Sequence, residues 1–255
     1  MTPQWRLLRH GARSAAENMA IDEAILRHVG EGLSGPTLRF YRWDPSAVSI
    51  GYFQGIEQEV DLEACERAGV DVVRRLTGGG AVYHDYRGEI TYSLVVPLGY
   101  PGIPARVVDS YRLLCDGLVR GLQRLGLSAT FAPINDIVVK GRKISGNAQT
   151  RRYGGVLQHG TLLCSVNPHV MFSLLKVPNE KMRDKLIAGV EERVTSIERE
   201  LGRIDYDHIV EALIAGFREA LGIELSAGDL TPEEIALAQT LRVERYENHE
   251  WNYKR

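Results

Sequence analysis

Cysteine is scarce in this chain, and its scarcity argues against two classes of small scaffold. Only Cys65, Cys115 and Cys164 occur in 255 residues, and no two of them form a C-x-x-C pair. A disulfide framework or a zinc knuckle needs more cysteines at closer spacing. Unpaired cysteines of this kind are typical of a protein that stays in a reducing cytoplasm.

Long apolar runs and an excess of one charge are also missing. No stretch of about 18 uninterrupted apolar residues occurs, and the N-terminal segment has no apolar run of signal-peptide length. The 31 basic residues nearly balance the 33 acidic residues, for a net charge of −2. This balance argues against a general nucleic-acid or membrane-binding surface. We therefore expect an untargeted, soluble cytoplasmic protein that binds neither nucleic acid nor membrane.

Hydrophobic residues make up 44% of the chain, which is enough for a substantial core. No internal repeat or clear linker divides the sequence, so we expect one domain over residues 1–255. Hydrophobic spacing, capping patterns and β-branched runs predict the elements. The predicted helices are 15–29, 61–68, 106–125, 207–217 and one that begins at Thr231. The predicted strands are 37–43, 47–50, 70–73, 81–83, 90–97, 127–132, 136–140, 142–149 and 156–166.

Residues 74–85, Arg-Arg-Leu-Thr-Gly-Gly-Gly-Ala-Val-Tyr-His-Asp, are the most informative stretch of the sequence. Consecutive glycines permit positive φ and carry no Cβ, so the amides of residues 78–80 can point at one anion. Arg74 and Arg75 would supply complementary charge. The loop is not a Walker phosphate loop, because no Gly-Lys-Ser/Thr follows it. A glycine-rich bend between strands is the alternative interpretation.

A second polar segment is Lys143-Ile-Ser-Gly-Asn-Ala-Gln149. Strand alternation predicts Lys143, Ser145, Asn147 and Gln149 on one face. Asn135-Asp136 precedes them across a predicted hairpin with its tip at Lys140-Gly141. A lysine, a carboxylate and an amide beside an anion-binding loop can hold a nucleotide phosphate and a metal, which favours adenylation chemistry. The alternative is a hairpin face in water, and a lone histidine such as His159 is typically a hydrogen-bonded structural residue.

In order and spacing, these segments resemble the lipoate–protein ligase A family of the biotin/lipoate ligase superfamily. The resemblance rests on Arg74–Asp85, Asn135-Asp-Ile-Val-Val139, Lys143-Ile-Ser-Gly-Asn-Ala148 and His159-Gly-Thr-Leu-Leu163, with weaker echoes at Asn18–Glu23 and Glu250-Trp-Asn252. It implies a catalytic domain of mixed, largely antiparallel β-sheet flanked by helices.

The resemblance also implies a reaction. Lipoate would attack the α-phosphate of ATP to give lipoyl-AMP, and a lysine of an acceptor protein would then take the lipoyl group. The acceptors would be lipoyl domains of 2-oxoacid dehydrogenase E2 subunits and the glycine-cleavage H protein. Lys143 would be the catalytic residue, and Asp136 would lie near Mg²⁺. Substrate and nucleotide would be bound by Arg74, Arg75, Gly78, Gly79, Gly80, Ala81, Val82, His84, Asp85, Asn135, Asp136, Ser145 and Gly146.

Two departures from the family pattern leave other functions open. Longer members carry a C-terminal accessory domain needed for activation, which we expect this chain to lack. We therefore expect a small separate accessory subunit, or else an enzyme that alone only transfers from preformed lipoyl-AMP. Gly88-Glu-Ile-Thr-Tyr-Ser93 also resembles the octanoyltransferases of the superfamily, which move octanoyl from acyl carrier protein through a cysteine thioester. In one such subgroup the cysteine precedes the segment matching Ala132-Pro133, where Thr130 and Phe131 stand here. A non-catalytic carrier of an acyl-adenylate is the third possibility.

Overall fold

The fold is built on two β-sheets in a computed structural model that describes residues 2–254. An eight-stranded sheet has the order β11-β1-β2-β6-β10-β9-β8-β7, and a three-stranded sheet has the order β4-β3-β5. Strand β1 pairs in parallel with β2 and β11, and β3 pairs in parallel with β4, whereas the other pairs are antiparallel. The strands are β1 (Gln4–Arg13), β2 (Thr37–Trp43), β3 (Ala47–Ile50), β4 (Asp71–Arg74), β5 (Val82–His84), β6 (Glu89–Pro97), β7 (Ala129–Ala132), β8 (Asp136–Val139), β9 (Arg142–Arg152), β10 (Gly155–Leu163) and β11 (Glu224–Ala227).

Helices cover both faces of the larger sheet, which confirms the predicted mixed, largely antiparallel sheet flanked by helices. They are α1 (Ala15–Gly30), α2 (Ile56–Glu59), α3 (Leu62–Ala68), α4 (Val107–Arg124), α5 (Pro168–Leu174), α6 (Glu180–Arg193), α7 (Ile197–Leu201), α8 (Tyr206–Leu221), α9 (Pro232–Leu241) and α10 (His249–Asn252), and a π-helical turn spans Arg242–Tyr246. Within residues 2–254, none of these helices has the length and apolar character needed to cross a bilayer.

The alternation of side chains along the central strands creates two apolar cores. On β6, Leu94 packs in a cluster with residues of α4 and α8, while its neighbour Val95 packs in a second cluster with residues of α1 and α9. Successive side chains of a strand point to opposite faces, so this part of β6 contributes apolar side chains to both clusters. Here the sheet is enclosed between two helical layers.

Local signals in the sequence account for most element boundaries. Ser14 caps α1 by accepting a hydrogen bond from the Glu17 amide, and Thr231 with Glu234 forms a complete capping box at α9. Helix α3 ends at Gly69 in the left-handed conformation, with a φ of 63°. The β8–β9 hairpin turns at Lys140 and Gly141, whose φ values are 50° and 77°. These elements confirm the sequence-based predictions at the same positions.

Candidate active site

A cavity of about 400 Å³ lies between the glycine loop, strands β9 and β10, and the start of β6. Met19 and Tyr41 form part of its wall, and Met171, Val190 and Val194 contribute from helices α5 and α6 and the segment after α6. Ten of the predicted site residues line it: Arg75, Gly79, Gly80, Ala81, Val82, His84, Asp85, Asn135, Lys143 and Gly146. The structure thus brings the glycine loop and Lys143 to one cavity. Arg74, Gly78, Asp136 and Ser145 are not among the residues that line it.

Arg75 holds the glycine loop in shape from inside the protein. Its Nη1 donates to the Ser49 carbonyl and to Ser49 Oγ, each at 3.0 Å. Its Nη2 donates to the carbonyl oxygens of Gly78 at 2.9 Å and Gly80 at 2.7 Å. Burial lowers the pKa of Arg75 to about 10. Gly79, with a φ of 96°, has no room for a side chain, because an added Cβ would lie 2.9 Å from Arg75 Nη2.

Arg74 has a structural position instead of the predicted ligand-binding one. Its side chain is fully buried, and its guanidinium donates to backbone carbonyls on both sides. The acceptors are the carbonyl oxygens of Gly51, Tyr52, Gln54, Trp251 and Asn252. Arg74 therefore ties α10 to the segment that packs behind the glycine loop, and its charge faces carbonyl dipoles outside the cavity.

The predicted strand alternation over 143–149 is wrong at its first step. A bulge shifts the β8–β9 register, so that Val138 pairs with Lys143 and Ile137 pairs with Ser145. One extra residue reverses the side-chain parity, as bulges do. Lys143 consequently shares its face with Gly146, where an added Cβ would lie 2.9 Å from Lys143 Nζ. Ser145 is fully buried on the other side.

Lys143 reaches the cavity with an ammonium group that is partly open to solvent. Its Nζ lies 2.7 Å from Asp136 Oδ1, and the two side chains are 42% and 34% exposed. Asp136 therefore neutralises and orients the lysine. Such an accessible pair contributes little to folding and leaves the ammonium able to turn toward a bound carbonyl oxygen.

A hydroxyl, an imidazole and a carboxylate form a chain along the cavity wall. Ser49 Oγ lies 2.7 Å from His84 Nε2, and His84 Nδ1 lies 2.8 Å from Glu89 Oε1. Trp43 stacks on the His84 ring with centroids 4.0 Å apart. All four residues line the cavity. Ser49 and Glu89 were not predicted as site residues, although Ser49 is the one polar residue of β3 and Glu89 lies in the segment Gly88–Ser93 that resembles octanoyltransferases.

A second series of hydrogen bonds runs from His159 at the cavity wall into the core, and it supports the predicted structural interpretation of His159. His159 Nε2 is 2.7 Å from Thr77 Oγ1, and its Nδ1 is 3.2 Å from Asp22 Oδ2. Asp22 also accepts hydrogen bonds from Arg39 Nη1, from the Tyr41 hydroxyl and from the Ser93 hydroxyl, at 2.7, 3.0 and 2.8 Å. Burial alone would raise the pKa of Asp22, but Arg39, His159 and Ser93 hold it below its ordinary value. This network joins α1, β2, β6 and β10 to the glycine loop.

The same burial makes the fold sensitive to acid, which gives a first testable prediction. Burial lowers the pKa of His159, and burial together with Arg39 lowers the pKa of His10 from 6.5 to about 3. The unfolded chain therefore binds more protons than the native protein between about pH 3 and 6.5. Stability is fully present above pH 6.5 and is lost as the pH falls below it. We expect the Tm to decline from pH 6.5 to pH 5 in thermal unfolding followed by circular dichroism.

The matched variant for this prediction is His10→Gln. His10 Nδ1 accepts a hydrogen bond from Arg39 Nε at 2.9 Å, which a glutamine oxygen can also accept without titrating. The decline in Tm should be shallower in this variant than in the wild-type protein. An equal decline in both proteins would show that His10 is not a source of the acid sensitivity.

None of the three cysteines is placed or poised as a nucleophile. All are buried, and none is among the described residues that line the cavity. Burial raises the pKa of Cys65 to about 11 and the pKa values of Cys115 and Cys164 to about 12. A thiol with such a pKa is almost entirely protonated at neutral pH and is a poor nucleophile.

Comparison with known proteins identifies the family. Residues 14–218 match the model of the lipoyl protein ligase A/B catalytic domain. The chain belongs to this family. It is 43% identical to the octanoyltransferase LipM of Kyrpidia tusciae over 98% of this chain and 99% of the relative. It is 39% identical to LipM of Brevibacillus brevis over 99% of each chain.

A solved structure of the family has the same fold. It is a bi-partite lipoate protein ligase of an archaeal lipoylation system from Thermoplasma acidophilum, at 36% identity and a TM-score of 0.89. The alignment covers 98% of this chain and 96% of that chain. The chain is thus similar in sequence to proteins named as transferases and in fold to a protein named as a ligase, so the fold alone does not separate the two activities.

The comparison overturns the predicted ATP-dependent ligase. The curated relatives, 36–43% identical over essentially their whole length, are octanoyltransferases, the class that stood second in the sequence analysis. Acyl transfer from a thioester needs no adenylation, so the predicted ATP, Mg²⁺ and lipoyl-AMP lose their support. The predicted role of Asp136 as a Mg²⁺ ligand loses its support for the same reason. Within residues 2–254 no cluster of three or more His, Cys, Asp or Glu side chains could hold a metal, and Asp136 pairs with Lys143.

Proposed function

We propose that this protein is an octanoyltransferase, which moves an octanoyl group from acyl carrier protein to a lysine of a lipoyl domain without ATP. The observation that carries the proposal is the similarity to octanoyltransferases over 98–99% of both chains. A carrier-protein thioester is already an activated acyl donor, so the reaction needs only positioning and charge stabilisation. We also propose that residues 1–255 act as one catalytic domain in the cytoplasm.

The cavity suits an acyl chain with a reactive carbonyl at one end. Its volume of about 400 Å³ lies in the range of roughly 300–1,000 Å³ that is typical of small-ligand pockets. Apolar side chains, including Met19, Val82, Leu163 and Val194, can contact the hydrocarbon. Lys143 is the basic group that we assign to the carbonyl end, where its ammonium would stabilise negative charge on the carbonyl oxygen during acyl transfer.

The proposal retains the donor and the acceptor of the octanoyltransferase alternative but not its cysteine thioester. The three thiols are buried outside the cavity lining, so transfer through any of them would need a rearrangement of the core. The accessory subunit was expected for adenylation. Because transfer from a thioester has no adenylation step, we propose that the isolated chain is active without it.

The test is a transfer assay with the isolated chain, octanoyl carrier protein and a lipoyl domain, in the presence of EDTA and without ATP. We expect the lipoyl domain to gain one octanoyl group by intact mass spectrometry, and a lipoyl domain with its target lysine changed to arginine to gain none. Transfer that requires ATP and free octanoate, or no transfer from the carrier protein, would contradict the proposal.

A further inference from the structure

We propose that Ser49 carries the acyl group as an oxygen ester between donor and acceptor, with His84 as its general base and Glu89 as the residue that positions His84. This inference rests on the proposed octanoyltransferase function and assigns the nucleophile that the cysteines do not supply. It rests on the hydrogen-bonded series Ser49, His84 and Glu89 along the cavity wall. Ser49 Oγ lies 2.7 Å from His84 Nε2, and His84 Nδ1 lies 2.8 Å from Glu89 Oε1.

The hydrogen-bond partners fix the direction of the proton. A carboxylate only accepts hydrogen bonds, so Glu89 Oε1 requires the proton of a neutral His84 to be on Nδ1. His84 Nε2 is then an acceptor, and the Ser49 hydroxyl donates to it. Arg75 Nη1 donates to Ser49 Oγ at 3.0 Å, which leaves the serine proton directed at the imidazole. This is the tautomer in which a histidine removes a proton from a serine nucleophile.

The arrangement is held rigidly, as a catalytic group requires. Ser49 lies on β3, the central strand of the three-stranded sheet, between β4 and β5. The His84 ring is stacked on Trp43, whose Nε1 donates to Thr91 Oγ1 at 2.7 Å, and Thr91 in turn donates to Glu89 Oε1. Glu89 Oε2 is buried and has no hydrogen-bond partner among the described residues, so the carboxylate contacts His84 and Thr91 through Oε1.

The similar chain of Thr77, His159 and Asp22 does not offer a competing nucleophile. Thr77 and Ser49 are both buried, at 0% and 1% exposure, but only Ser49 is among the residues that line the cavity. Asp22 is already engaged by Arg39, which neutralises the carboxylate that would otherwise support His159. Of the two hydrogen-bonded series, only that of Ser49, His84 and Glu89 has all its residues among those that line the cavity.

The two steps balance in atoms and protons. In the first, Ser49 Oγ attacks the thioester carbonyl while His84 Nε2 takes the hydroxyl proton. The C–S bond then breaks, the sulfur leaves with that proton as the carrier thiol, and octanoyl-Ser49 remains. In the second, the acceptor lysine amine attacks the ester carbonyl and gives a proton to His84. The C–O bond breaks, Ser49 Oγ recovers the proton, and the product is the octanoyl amide.

The first experiment traps the intermediate without an acceptor. The full chain is mixed with octanoyl carrier protein, quenched in acid, and analysed by intact mass and peptide mapping. We expect one octanoyl group on Ser49, resistant to neutral hydroxylamine as an oxygen ester is. In Ser49→Cys we expect the label at the same position as a thioester, which neutral hydroxylamine removes. An octanoyl group mapped to Cys65, Cys115, Cys164 or Lys143 in the wild-type protein would overturn the assignment.

The second experiment needs no carrier protein, so it separates this inference from the proposed function. With p-nitrophenyl octanoate, the wild-type chain should release a burst of nitrophenol equal to the enzyme concentration. Ser49→Ala should abolish the burst and lower octanoyl transfer at least about 1,000-fold. The matched control is Ser93→Ala. Ser93 is buried, as Ser49 is, but its hydroxyl donates to the Asp22 carboxylate and it lies outside the cavity lining. Its burst should persist.

The results distinguish the two ideas. Transfer to the lipoyl domain that continues in Ser49→Ala overturns the serine intermediate and leaves the octanoyltransferase standing. A Ser49-dependent burst in a chain that never uses octanoyl carrier protein supports the nucleophile and refutes the donor. Absence of a burst in the wild-type chain overturns the nucleophile.

The part of Glu89 is tested with Glu89→Gln and the same ester. A positioning residue acts on the acylation rate, so the rate constant of the nitrophenol burst should fall about 100-fold or more while the dissociation constant of the ester stays within about twofold. A change in the dissociation constant alone, or no change in either constant, would remove Glu89 from the proposal.

Discussion

Changing Lys143 to methionine should lower the rate of octanoyl transfer about 100- to 1,000-fold while the protein stays folded. A single preorganised group that stabilises a developing oxyanion typically contributes this much to a reaction. Methionine keeps the length and most of the volume of the side chain but removes the charge. The only ion pair of Lys143 among the described residues is the partly exposed contact with Asp136, so its loss should hardly affect stability.

The measurement is the initial rate of lipoyl-domain octanoylation, with the Tm recorded in parallel. Lys140→Met is the matched control. Lys140 lies at the tip of the same hairpin, pairs with Glu200 at 2.9 Å and is not among the residues that line the cavity. Its transfer rate should remain near that of the wild-type protein. Equal losses in the two variants would indicate damage to the hairpin, and an unchanged rate in Lys143→Met would remove the lysine from the mechanism.

Asp22→Ala should cost about 3–5 kcal/mol in the free energy of unfolding, the largest stability effect that we expect from a single change. Arg39 and Asp22 are both buried, at 0% and 1% exposure, and their side chains meet at 2.7 Å. Removing the carboxylate leaves a buried guanidinium without its counter-charge, which is far more costly than the pair itself is stabilising. Three further donors, from Tyr41, Ser93 and His159, lose their acceptor as well.

Urea unfolding measures this loss, with Asp116→Ala as the control. Asp116 pairs with Arg120 at 2.7 Å, but both side chains are more than one-third exposed. Such a pair contributes below about 1 kcal/mol. The double variant Asp22→Ala, Arg39→Met should recover part of the lost stability, because the guanidinium left without its counter-charge is then removed as well. A loss of less than 1 kcal/mol in Asp22→Ala would show that the buried pair is not a major source of stability.

The sequence-based predictions were correct where local chemistry is strong. Capping side chains, helix-ending glycines and the hairpin tip each place an element within a few residues. Strand β1 was not predicted, and its stability comes from pairing with β2 and with β11, whose residues lie more than 200 positions away. The residues near β1 in the sequence give no signal of a pairing with such distant strands, which is why this strand was not predicted.

The error in function has a different origin. The glycine loop and the segment around Lys143 indicate that a carbonyl or anion is bound, and that feature suits an adenylating enzyme and an acyltransferase equally. The choice between them depends on how the acyl group is activated before it reaches the enzyme, and a shared fold does not encode that difference. The full-length similarity to octanoyltransferases provided the evidence for a transferase.

The sequence by itself determined many of the elements, and through its motifs the family and the mixed sheet that the family implies, because hydrophobic periodicity, turn residues and motif spacing are local properties of the chain. Only the tertiary structure decided which polar groups meet. In the folded protein Arg74 binds backbone carbonyls instead of a ligand, and a bulge places Ser145 on the face opposite to the predicted one. The fold also brings Ser49 into contact with a histidine 35 positions away. Hydrogen bonds across sheets depend on register and burial, which the packing of the whole chain fixes, and no local pattern can report them.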